Sequence, residues 1–84
     1  MFTFKDLKFE PEFMGVRAIM NFPNGYGISV INSAFSYGGD MGLYEVAVLK
    51  DEKVCSTPLI EHDDVAGWLT EEDVTEFMQK IQEL

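Results

Sequence analysis

Four consecutive polar residues, Glu61, His62, Asp63 and Asp64, set the only histidine of the chain beside three carboxylates. These are the residue types that ligate a divalent metal or exchange a proton with a substrate. Their spacing argues against both roles. Consecutive residues do not readily present side chains to one point, no second histidine completes a ligand set, and carboxylates of this kind are common where a helix begins. Cys55 could be paired with His62 as nucleophile and base, yet nothing in the sequence supplies an oxyanion hole, so Cys55 reads as a small buried apolar residue. The pieces "NGYG" (24–27) and "YGGDMG" (37–42) lack the spacing and the lysine of a phosphate loop, and Asp40 in the second would repel phosphate. No catalytic residue, cofactor or metal is expected, and the chain reads as a non-enzyme.

What remains is charge. The 84 residues carry a formal net charge of −9, which argues against direct binding to nucleic acid or to an anionic membrane surface. The excess is lopsided: residues 1–60 hold seven carboxylates against five Lys or Arg, a net of −2, whereas residues 61–84 hold eight against Lys80 alone, a net of −7. Asp63, Asp64, Glu72, Glu76 and Glu83, with Asp40 as an outlying member, are the candidate partner-binding residues. No window approaches the roughly 20 apolar residues of a membrane span, no secretory leader is evident, and a single cysteine excludes an internal disulfide. A soluble protein of a reducing cytoplasm is the expectation.

The elements that would position these carboxylates belong to one small domain, residues 1–84. "FMGVRAIMNF" (13–22) alternates Met14, Val16, Ala18, Met20 and Phe22 with Gly15, Arg17, Ile19 and Asn21, the period of a half-buried strand. "PNG" (23–25) predicts a three-residue hairpin turn with Gly25 at positive φ. A second strand over 26–35 then faces Tyr26, Ile28 and Val30 to the core and turns Ser29 and Ser33 outward. "SYGGDMG" (36–42) reads as a loose connection, "LYEVAVLK" (43–50) as the third strand, and "DE" (51–52) as a tight turn into a short fourth strand at 53–56. "EHDDVAGWL" (61–69) predicts a turn or one helical turn, anchored to the sheet by Val65 and Trp68. From Thr70 onward, Thr70 with Asp73 forms a capping box, and Val74, Phe77, Met78, Ile81 and Leu84 fall on one helical stripe. The fold class is therefore α+β: an antiparallel meander of three to four strands with a C-terminal amphipathic helix packed on one face. The second face then needs a cover, and three are open: the aromatic N-terminal segment "MFTFKDLKFEPEF", a second copy in a homodimer, or a partner.

The pieces "FKDLKFE" (4–10), "NGYGISV" (24–30), "SYGGDMGLYEVAVL" (36–49), "STPL" (56–59) and "VAGWLTEEDV" (65–74) together resemble a family of small phage and prophage proteins. The resemblance covers nearly the whole chain and implies a viral or prophage origin and the host cell cytoplasm, but no catalytic residue. Two function classes follow. In the first, the chain binds and inhibits a host protein, such as a nucleic-acid-binding defence enzyme, by offering carboxylates to its basic groove. In the second, it is a non-enzymatic accessory or regulatory protein whose acidity serves only solubility. Residues 70–84 carry five carboxylates and one lysine, roughly one net charge per 5 Å of helix, against one per about 1.7 Å in duplex DNA. Such a helix steers an encounter better than it holds a complex. Protein purified without added metal should contain no stoichiometric zinc or manganese by elemental analysis; a full equivalent of either would redirect attention to His62, Asp63 and Asp64.

Overall fold

The computed structural model describes residues 1–55, 57–60 and 65–84. Six strands form one antiparallel sheet: β1 (Glu10–Glu12), β2 (Gly15–Asn21), β3 (Tyr26–Ser33), β4 (Tyr44–Lys50), β5 (Lys53–Val54) and β6 (Ala66–Leu69). β1 to β5 run as a meander, and β6 pairs with β4. β3 occupies one edge of β4, so β5 and β6 share the other end to end, β5 at Leu49 and Lys50 and β6 at Tyr44 and Val46. One helix, α1 (Glu71–Gln82), follows.

The alternation read in the sequence sets the register. Ala18, Val30 and Val46 form one cross-strand row and Met20, Ile28 and Val48 the next, all on one face. Onto this face α1 lays Val74, Met78 and Ile81, each fully buried, and with Phe22 they make the core. Phe77 is only half-buried and Leu84 is exposed, because the stripe drifts away from the sheet toward its edges. The cap is as expected: Thr70 Oγ1 accepts from the Asp73 backbone N–H at 3.1 Å, and the Thr70 N–H donates to the Asp73 carboxylate at 3.0 Å. At the hairpin, Gly25 adopts φ +90°, and Asn24 Nδ2 donates to the Ile81 carbonyl at 2.9 Å, satisfying one of the helix's terminal acceptors.

Three sequence expectations are corrected. The sheet has more strands than the three to four expected, because β1 and the four-residue β6 are too short for a period to show. Of the turn or helical turn expected over 61–69, residues 61–64 lie outside the described residues and Ala66–Leu69 is a strand, in which Trp68 is 57% exposed and not an anchor buried on the sheet. Ser29 and Ser33 do point away from the Ile28 and Val30 face, but they are buried there and not exposed to solvent. Ser29 lies low on its face beside Ile19 and Ile31, while Ser33 is enclosed by the following turn, its N–H donating to Ser36 Oγ and its own Oγ accepting from the Phe35 N–H. The 36–42 connection is itself tied by backbone hydrogen bonds from Gly39 to Ser36 and from Leu43 to Gly38.

The N-terminal segment also settles where it lies. Phe2 exchanges two hydrogen bonds with the Gln82 side chain (3.0 and 2.9 Å), and the Phe4 N–H donates to Thr75 Oγ1 at 3.0 Å, so the segment runs alongside α1. Phe4, Phe9 and Tyr44 form a three-ring cluster there, with centroids 5.1 to 5.8 Å apart. Its first part, through Phe9, thus lies on the helix face, whereas Glu12 and Phe13 at its end border the other face. Met78→Ala should cost about 2 to 5 kcal/mol and lower the Tm by at least about 10 °C in a domain of this size. Phe77→Ala should cost clearly less, and equal losses in a thermal melt would contradict the half-buried position of Phe77.

Candidate interaction surface

Glu72 and Glu76 on α1 and Glu83 at its C-cap stand at i, i+4 and i+11, which at 100° per residue places them within about 40° of one another. Val74, Met78 and Ile81 occupy the opposite side, so the three carboxylates form a line turned to solvent. All three are exposed, and among the described residues none belongs to an ion pair; the pair present joins Arg17 to Glu12 at 2.9 Å. Glu71 and Asp73 have local work instead. Asp73 closes the capping box, and its hydrogen bonds from the Thr70 backbone and side chain hold its carboxyl below the usual aspartate value. Glu71 lies near Tyr44, whose hydroxyl pKa is raised by burial first and by the Glu71 charge second.

The other sequence candidates divide. Asp40 is exposed in the 3₁₀ turn Gly39–Met41, on the β3–β4 connection and not on the helix. Asp63 and Asp64, with Glu61 and His62, lie outside the described residues. Among the described residues no group of three or more His, Cys, Asp or Glu side chains converges as a metal-binding set.

A feature that sequence reasoning missed sits near Asp40 and the start of α1. Where β6 pairs with β4, Gly67 and Trp68 together oppose the single residue Glu45, a β-bulge. Trp68 takes φ +55°, a left-handed conformation that costs a non-glycine residue about 1 to 2 kcal/mol. Its ring stacks on Tyr37, centroids 5.2 Å apart and planes 23° apart, and its N–H donates to the Tyr37 carbonyl at 3.2 Å. In turn the Tyr37 N–H donates to the Glu45 carboxylate at 3.1 Å. Two glycines allow this approach: a Cβ on Gly67 would collide with the Tyr37 Cβ, and one on Gly38 would stand 2.9 Å from the Trp68 Cα. The sequence signal was the pairing of each ring with a glycine, "YG" and "GW". Tyr37 and Trp68 are both exposed, so a strained backbone presents an aromatic platform to solvent, the combination that marks binding anchors.

On the sheet face away from α1, a shallow depression of about 370 Å³ has Ser29, Ala47 and Leu49 in its floor, with Ile19, Ile31, Val54 and Val65 and the charged Arg17, Glu45 and Glu52 around it. No described element packs over it. No protein-family model matches the chain, and no curated protein or solved structure matches it.

Trp68→Gly relieves the left-handed strain but loses a stacked pair worth about 0.5 to 1.5 kcal/mol, so stability should change by less than about 1 kcal/mol. A loss of about 3 to 5 kcal/mol in denaturant unfolding, the cost of removing a buried aromatic anchor, would contradict the exposed position of the ring.

Proposed function

We propose that this chain is a non-enzymatic interaction protein of phage type that binds and inhibits a host protein in the host cytoplasm. The partner class is one with a basic groove, as a nucleic-acid-binding defence enzyme has, and no cofactor takes part. The observation that carries this reading is the line of Glu72, Glu76 and Glu83: exposed, outside any ion pair among the described residues, and on the side of α1 that the fold does not use. Glu83 adds weight, because a carboxylate at a helix C-terminus faces the negative end of the dipole and is disfavoured there by about 0.3 to 1 kcal/mol at low salt.

The charge spacing sets the mechanism. Carboxylates spaced along one helix face raise the association rate of a basic partner, whereas retention needs desolvated contacts. Tyr37 and Trp68 are suited to the second task, since aromatic faces accept the Lys and Arg side chains that line such a groove. Asp40 adds an exposed carboxylate three residues along the same connection as Tyr37.

Replacing Glu72, Glu76 and Glu83 together by Gln removes three charges while keeping side-chain size and helix propensity nearly constant. Stability should hold or rise slightly. Capture of the partner from host lysate should lose rate and salt dependence together, because steering is screened beyond about 8 to 10 Å at ordinary ionic strength. Capture that survives the triple substitution unchanged at every salt concentration would end the acidic-line reading.

A further inference from the structure

Tyr37 and Trp68 cover one face of each other's ring, with centroids 5.2 Å apart, and about half of each residue remains exposed, so the outer faces of the pair are open. Among the described residues neither ring meets a third ring or a cation. The cation that does lie over an aromatic ring, Lys50, lies over Tyr26 at the other end of β4.

Charge around the pair is of one sign. The two segments that build it, residues 33–49 and 65–79, hold Asp40, Glu45, Glu71, Glu72, Asp73 and Glu76 and no Lys or Arg. Glu45 is tied to the rings directly: it stands opposite Gly67 and Trp68 across the bulge, and its carboxylate accepts from the Tyr37 N–H at 3.1 Å. Bases of neighbouring segments do not take it up. Arg17, in the same cross-strand row but two strands away, holds Glu12, and Lys5, on the strap beside Thr75, joins no ion pair among the described residues.

We propose that the open face of this ring pair receives an arginine side chain of the bound protein, its guanidinium lying flat on the Trp68 indole within the field of Glu45 and Glu71. The inference rests on the reading that the partner offers a basic groove, and it names the residue type that the groove brings here. An aromatic face attracts any cation through its quadrupole, the indole most strongly. Shape then decides between the two basic side chains. A guanidinium is planar and weakly hydrated, so it covers the ring with its face while its N–H groups, lying in its own plane, still point outward to carboxylates. An ammonium is compact and must give up tightly held water for the same contact. The position also suits a step that follows steering. Glu72, the first carboxylate of the acidic line, comes four residues after Trp68, where α1 leaves β6. A two-fold contact with a second copy is a poor alternative, since it would set these carboxylates against themselves.

Trp68 is the only tryptophan of the chain, so its emission reports on this face directly. The probes are three synthetic peptides of equal length in which glycine alternates with arginine, with lysine or with citrulline, the last planar like arginine but uncharged. The arginine peptide should change Trp68 emission saturably and bind at least about threefold tighter than the lysine peptide, while the citrulline peptide should not bind. Trp68→Gly, followed by amide chemical shifts in place of fluorescence, should bind the two basic peptides equally. Glu45→Gln combined with Glu71→Gln keeps an oxygen for the Tyr37 N–H and should weaken the arginine peptide about threefold or more. With Glu72→Gln, Glu76→Gln and Glu83→Gln combined, both basic peptides should weaken alike and the preference for arginine should persist. No preference in the wild type, a preference that survives Trp68→Gly, undiminished binding after Glu45→Gln with Glu71→Gln, or equal binding of citrulline would overturn the proposal and leave the acidic line standing. Conversely, a Trp68-dependent preference for arginine supports it even where the triple substitution leaves host-protein capture unchanged, a result that ends the acidic-line reading alone. Emission that shifts with protein concentration in the absence of peptide would assign the face to a second copy and overturn the proposal.

Discussion

The seam between Val74, Met78 and Ile81 of the helix and Ile28, Val30, Val46 and Val48 of the two central strands is the contact on which the rest of the molecule depends. A twelve-residue helix is marginal in water by itself, since nucleation is costly and only tertiary burial repays it. Once docked, it becomes the support for two other segments. The N-terminal strap is tied to it through Gln82 and Thr75, and the β2–β3 turn through Asn24. Each of these hydrogen bonds contributes about 1 kcal/mol net and lies at least partly in solvent, so none could position the helix alone. The apolar seam comes first and the polar ties follow from it.

Because strap and helix share one face, burial in this small domain is one-sided. Phe2, Phe4, Phe9 and Tyr44 add their rings to the helix side, while Ile19, Val54, Phe13 and Phe35 remain exposed, away from it. On the face away from α1, Gly27, Ser29 and Ala47 lie low between Ile19, Ile31 and Leu49, the Arg17–Glu12 ion pair stands among them, and among the described residues no helix or strand packs over them. The same arrangement leaves α1 with a face that touches no other element. The molecule therefore offers two unlike surfaces, one acidic and convex, one apolar and nearly flat.

What could be read from the sequence was whatever is specified locally. Alternation in 13–22 and 26–35 with Pro23, Asn24 and Gly25 between them yields the central hairpin, because a period of two and a turn that needs positive φ leave little choice of register. Thr70 and Asp73 define the helix start through bonds three residues apart, and the apolar stripe then determines which carboxylates face water, so the line of Glu72, Glu76 and Glu83 was legible. β6 was not. Its bulge puts Gly67 and Trp68 opposite one residue, which erases the alternation by which a strand is recognised. The burial of Ser29 was hidden for a different reason: it depends on what stands across from it, Ile19 on β2 and Ala47 on β4, a tertiary quantity absent from its own flanks. Nor do local propensities foretell a tryptophan in a conformation that favours glycine. Only the Tyr37 stack and two glycines some 30 residues apart in the chain make it tolerable.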